Sequence, residues 1–155
     1  MLERLRSMFK GAEPAGPPQE VKSFAVTDAI LSQDKVTVEG DVWRITIDGE
    51  RSIPLFELPV ADTHKCMLTY RAKLMADELS GQAYLEMWCR LPGRGEFFPE
   101  GLNQPIAGTT DWAEYEIPFH LQDRQYPDLL KLNVFGKGRG TVWIKDIRVL
   151  KTPLR

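Results

Sequence analysis

Five residues alternate along one stretch of the chain in a pattern that could do chemistry: Gln82, Tyr84, Glu86, Trp88 and Arg90. In a strand, positions i, i+2 and i+4 share one face. That face would carry two flat rings among carboxylate, amide and guanidinium groups. Such a set suits a carbohydrate or a similar small polyol. Its C–H faces pack on the rings, and its hydroxyls bond to the polar groups. Segments 66–76 (CMLTYRAKLMA) and 82–91 (QAYLEMWCRL) both alternate strictly, with Asp77-Glu78-Leu79-Ser80-Gly81 between them. Read as a hairpin, they set Tyr70 against Met87, Leu68 against Cys89, Ala72 against Leu85 and Leu74 against Ala83, an unbroken apolar face. The same register sets Arg71 against Glu86, Thr69 against Trp88 and Lys73 against Tyr84. Asn133 and His120 fall on the polar parity of later strands and extend the face. The plainer alternative is a solvated surface with an Arg71–Glu86 cross-strand ion pair and loops over Tyr84 and Trp88.

Catalytic chemistry finds less support. His64 and His120 are the only histidines, and neither lies in H-E-x-x-H or beside a Ser or Cys motif. GRGEF and GKGRG are glycine-rich, but they read as turns between strands and not as phosphate loops entering a helix. Glu86 and Glu96 could form a glycosidase pair, yet nothing in the sequence fixes their separation. The reading is therefore non-catalytic. The 94–103 loop holds Arg94, Glu96, Phe97, Phe98 and Glu100. Its adjacent rings would form either a binding tip or a plug for one end of the core.

The elements that must position these groups are short strands. The chain has 155 residues, 43% hydrophobic and 27% charged, with a net charge of −2. That length fits one domain. The balance of charge argues against general nucleic-acid binding. Residues 1–22 read as an arm: Leu2, Leu5, Met8 and Phe9 recur at helical spacing among Arg4, Arg6 and Lys10, and a proline-rich linker follows. Residues 1–10 could dock on a membrane surface or a partner protein. Glu3, Arg4, Arg6 and Lys10 break every apolar run that a secretory signal needs, so the chain as written is expected in the cytoplasm. From residue 23 to 155 the period is two. Val36–Val38 and Val42–Ile47 flank the turn Glu39-Gly40-Asp41, and Asp48-Gly49 reads as a hairpin turn before Ile53, Leu55 and Phe56. Pro54 and Pro59 mark the latter strand as an edge or as interrupted. Further strands run through Tyr115–Phe119, Leu130–Val134 and Val142–Val149, and Trp112, Tyr115 and Trp143 read as core. Cys66 and Cys89 read as buried free thiols. Eight or nine strands without an internal helix predict an all-β, antiparallel two-sheet sandwich.

Three pieces within that pattern resemble the galactose-binding-like β-sandwiches, the jelly-roll fold of many carbohydrate-binding modules. They are Leu85-Glu86-Met87-Trp88, then Gly108-Thr109-Thr110-Asp111-Trp112 with Tyr115, then Gly138-x-Gly140 running through Trp143 to Ile147. Together they cover about 80 residues. The resemblance implies a non-catalytic domain whose ligand sits on a concave sheet face or in the loops at one end. It also implies a structural calcium beside the closing strand in many relatives. Asp28, Asp34, Glu39 and Asp146 are the acids nearest such a site, but the closing pair is Lys145-Asp146 where the family pattern has two aspartates. No cofactor is required by this reading. The rival reading is an adaptor domain that docks through residues 1–10 and the Phe97-Phe98 loop.

Overall fold

The computed structural model describes residues 13–99 and 103–155. The strands are β1 (Gln19–Ser23), β2 (Val36–Glu39), β3 (Val42–Asp48), β4 (Arg51–Pro59), β5 (Cys66–Leu91), β6 (Gly95–Phe97), β7 (Ile106–Leu121) and β8 (Leu129–Pro153). All pairings between them are antiparallel. Among the described residues no helix is long and apolar enough to cross a membrane. The expected arm at 1–10 lies outside the described residues. The segment read as linker contributes β1, which lies along β8.

The two longest strands define the architecture. β5 and β8 pair along their whole length, from Cys66 opposite Pro153 to Arg90 opposite Leu129. The hairpin expected between 66–76 and 82–91 is therefore not formed. Both segments belong to one continuous strand, and each pairs with β8. Asp48-Gly49 is likewise not a hairpin turn. β3 pairs with β8 from Asp48–Arg139 to Trp43–Ile144, and β4 continues along the same edge from Arg51–Gly136 to Pro59–Leu129. The Gly49 amide donates to the Gly138 carbonyl at 2.8 Å and keeps that edge in register. The β2–β3 turn is formed as expected, with Glu39 opposite Val42, and so is the glycine-rich turn between β5 and β6, with Leu91 opposite Gly95; the other one, Gly136–Gly140, runs on inside β8.

The continuous ribbon then folds over on itself. Tyr70 and Glu86 are sixteen residues apart on β5, roughly 50 Å of straight strand. Yet the Tyr70 hydroxyl donates to the carbonyl of Asn133, the β8 residue opposite Glu86, at 3.2 Å. Two leaves must therefore face each other. The first holds β1, β2, β3, most of β7, and the 66–77 and 141–153 halves of β5 and β8. The second holds β4, β6 and the 80–91 and 129–139 halves. Between them lies one apolar core, including Trp43, Ile45, Leu68, Tyr70, Leu85, Met87, Leu132 and Ile144. Cys66 and Cys89 are buried and unpaired in it. Burial pushes their thiols up, to about 11 and about 12, so neither is a ready nucleophile.

A crease of close backbone contacts makes the bend. β5 bulges at Asp77–Ser80 and carries positive φ at Glu78 and Gly81. The facing Gly138 of β8 has φ +95. A Cβ on Gly81 would lie 2.2 Å from the Lys137 carbonyl oxygen, and one on Gly138 would lie 1.6 Å from that of Ser80. Only glycine permits this approach together with the left-handed backbone. The bulge adds residues to the outer side and shifts the buried parity from even (Leu68 to Ala76) to odd (Leu79 to Leu91). Hence each half keeps an apolar inner face.

Gly138→Ala is expected to destabilise the domain by about 2–4 kcal/mol, through clash and backbone strain together. Gly93→Ala, where φ is +77 and nothing lies within 4 Å of a new Cβ, is expected to cost only about 1–2 kcal/mol. Urea unfolding of both variants checks this; equal losses would contradict the crease.

Candidate functional site

The outer face of the second leaf gathers the central residues of the alternating row. In the observed register Tyr84 lies opposite Phe135, Glu86 opposite Asn133, Trp88 opposite Lys131, and Ser52 of β4 lies beyond Phe135. The inner neighbours Ala83, Leu85 and Met87 are buried in the core, so alternation turns Tyr84, Glu86 and Trp88 outward. All three are half-buried.

Glu86 is held firmly. Its Oε1 accepts from Ser52 Oγ at 2.7 Å and from Asn133 Nδ2 at 2.9 Å. Asn133 is 6% exposed, and its backbone carbonyl takes the Tyr70 hydroxyl from the other leaf. Core and site are thus joined at one residue. Among the described residues no hydrogen bond reaches Oε2. Rings bracket the carboxylate. Tyr84 stacks on Phe135 with centroids 5.0 Å apart, and Trp88 packs against Phe98 at 4.7 Å with planes tilted by 60°. Burial, and then the charges of Glu86 and Glu50, push the Tyr84 phenol above its ordinary range, so it stays a neutral donor. A cavity of about 180 Å³ lies here, lined by Tyr84, Glu86, Trp88, Phe98, Pro99 and Asn103 among others.

The remaining residues expected at this site are placed elsewhere. Arg71 does not face Glu86. It sits on the first leaf between Glu116 and Arg148, with its Nε 2.9 Å from Glu116 Oε2. His120 also lies on the first leaf, opposite Met67. Arg71 was placed by the hairpin register, which the continuous β5 replaces; His120 was placed by strand parity, which does not say on which leaf its strand lies. Arg90 is on the second leaf but is engaged with Asp128 through two bonds, at 2.8 and 3.0 Å. That pair holds the Asp128 carboxyl below its ordinary range. Glu96 pairs with Lys131 at 2.7 Å, and the Trp88–Lys131 row separates it from Glu86. Phe97 and Phe98 do not plug the core: they are 42% and 46% exposed, and Phe98 forms a wall of the site.

Sequence reasoning missed Ser52 and Phe135 as members of the site, and it read Phe98 as part of a separate loop tip or a core plug. Ser52 and Phe135 have outward parity, but only the register of β4 and β5 on β8 brings them to Glu86. Trp112 and Trp143, expected in the core, are half-buried on the outer side of the first leaf. Lys145 lies over the Trp112 ring at 4.2 Å. Tyr115 does pack against the core. The four acids considered for calcium are dispersed. Asp28 accepts from the Ala25 amide, Asp34 approaches Arg51, Glu39 approaches Arg44, and Asp146 pairs with Lys73. Among the described residues no three metal-ligating side chains converge.

The fold is an antiparallel β-sandwich of the carbohydrate-binding-module type. A structure described as "CBM4 structure and function" superposes with a TM-score of 0.53 at 12% identity, covering 94% of this chain and 97% of that one. The CBM22-1–GH10 portion of a Clostridium thermocellum xylanase 10B, solved with xylohexaose, gives 0.52 at 7% identity over 85% of this chain and 25% of that chain. The tandem CBM22-1–CBM22-2 of Paenibacillus barcinonensis Xyn10C gives 0.51 at 10% identity over 92% and 47%. No family model and no curated protein matches the sequence.

His120 supplies a pH test of its placement. Among the described residues its buried Nε2 has no hydrogen-bond partner, and burial lowers its pKa below the ordinary 6.5. The unfolded chain therefore binds the proton more readily. Stability from neutral His120 is fully present above pH 6.5 and falls as pH drops from there toward the lowered folded value. Melting temperature is expected to decline over that window, and His120→Gln should flatten the decline. An unchanged slope in the variant would contradict the placement.

Proposed function

We propose that this chain is a non-catalytic carbohydrate-binding domain whose ligand lies on the outer face of the second leaf. The observation that carries this reading is the Glu86 carboxylate, fixed by Ser52 and Asn133 between two aromatic pairs. Sugar C–H faces pack on Trp88 and Tyr84, while Glu86 accepts ring hydroxyls. Fixing the carboxylate beforehand lowers the ordering cost of binding. A cavity of about 180 Å³ is below the usual range for drug-sized ligands, which fits one ring of a longer chain bound at the surface. The non-catalytic part is supported by the cavity lining: among the described residues Glu86 is the one carboxylate there, and Glu96 is tied to Lys131. The fold also supports the reading, since a structure of the same fold was solved with xylohexaose. The mechanism is recognition by stacking and hydrogen bonding, with no bond made or broken.

Neutral oligosaccharides including xylohexaose, titrated with and without calcium, are expected to give a saturable change in tryptophan fluorescence. Trp88→Ala should abolish it and Glu86→Gln should weaken affinity about tenfold, the worth of one charge-assisted hydrogen bond. Binding that survives Trp88→Ala would overturn the site. No binding to any neutral glycan would overturn the function and favour the adaptor reading.

A further inference from the structure

A second pocket opens at the end of the sandwich, where the two leaves meet. The fold-over brings together two turns that are far apart on the ribbon. Residues 92–94 follow the end of β5 in the second leaf, and residues 122–126 follow β7 in the first. Between them lies a cavity of about 290 Å³ lined by Leu91, Pro92, Arg94, Arg124, Gln125 and Tyr126. Each leaf thus contributes one arginine.

Two neighbouring carboxylates are engaged by bases, and a third, Asp123, lies against a histidine whose Nδ1 also accepts from the Arg124 amide at 3.4 Å. Asp123 lies 3.1 Å from His64 Nδ1, Asp128 holds Arg90, and Glu96 holds Lys131. Among the described residues neither Arg94 nor Arg124 has a carboxylate within 4 Å. The third polar side chain is a donor as well. Gln125 Oε1 accepts from the Gln122 amide at 2.8 Å, which leaves the Nε2 hydrogens for the cavity. The polar side chains lining this pocket therefore offer donors, and two of them carry positive charge. Its other walls are apolar. Tyr126, 49% exposed, presents a ring backed by His64 at 4.5 Å. Arg124 holds φ +65, a left-handed backbone uncommon for a non-glycine residue and recurrent at ligand clamps. A ligand complementary to these walls brings acceptors, negative charge and a flat apolar face.

We infer that this pocket binds an acidic pyranose unit, its carboxylate or sulfate bridging Arg94 and Arg124 and its ring against Tyr126. Planar guanidinium forks suit both anions. The saccharide part of this inference rests on the proposed function; the anionic part rests on the two unpaired arginines. The pocket shares no residue with the Glu86 site, so the two can fail separately.

The test is backbone amide NMR titration of the whole chain with trigalacturonate, with a sulfated disaccharide, with neutral xylohexaose and with a short single-stranded oligonucleotide. At least one acidic saccharide is expected to shift the amides of Arg94, Gln125 and Tyr126, and which of the two binds identifies the anion. Affinity should weaken as salt is raised. Arg94→Gln with Arg124→Gln should weaken it at least tenfold without changing the melting temperature, because both side chains are exposed. Trp88→Ala should leave it unchanged. Absence of shifts at these residues with both acidic saccharides would overturn the site. So would affinity unaltered in the double variant. Equal binding of the oligonucleotide with the same arginine dependence would overturn the saccharide assignment in favour of a general anion patch. Xylohexaose shifts confined to the Trp88 face report on the proposed function alone.

Discussion

The contact between the backbones of Gly81 and Gly138 is the constraint on which the remaining structure depends. Two strands of about twenty-five residues each run paired from end to end. Left straight, such a ribbon would bury one face against nothing. Where a side chain would stand, each of these glycines meets a carbonyl of the opposite strand. The strands can therefore turn together, and the bulge beside Glu78 re-phases the alternation so that apolar residues stay inside on both sides of the crease. Tyr70 then spans the core to Asn133, and Asn133 reaches through the sheet to Glu86. The chain of contacts runs from crease to core to carboxylate.

The alternation that marks the strands is legible in the sequence, and so is the outward row of Tyr84, Glu86 and Trp88. Period-two patterns report which residues share a face. They do not report which strand lies alongside. Asp77–Gly81, Asp48-Gly49 and Gly136–Gly140 carry the chemistry of tight turns, and a crease through adjacent strands asks for the same chemistry: positive φ and no Cβ. Composition cannot separate the two. Reading 77–81 as a hairpin placed Arg71 beside Glu86, although the two sit on different leaves. Asn133 was found through parity alone, because its outward position does not depend on the hairpin. Ser52 and Phe135 needed the pairing of β4 and β5 with β8 and were invisible without it. Trp112 and Trp143 show the converse limit. Large aromatics at strand entries suggest core, but alternation from Val142 and Ile144 directs Trp143 outward.

Folding one ribbon over also explains why distinct surfaces arise on so short a chain. The second leaf exposes a carboxylate bracketed by rings, suited to neutral hydroxyls. The open end collects a turn from each leaf and exposes donors without their acceptors. The electrostatic characters differ because the local pairing differs: Glu86 is held by neutral donors, whereas Asp128 and Glu96 are taken by Arg90 and Lys131.

The most direct measurement is a crystal structure of the protein grown with xylohexaose. The account predicts a pyranose ring against Trp88 on the second leaf, with a hydroxyl at Glu86 and the bonds from Ser52 and Asn133 retained. A sugar seated instead over Trp112 and Trp143 on the first leaf, with the Glu86 face bare, would contradict it.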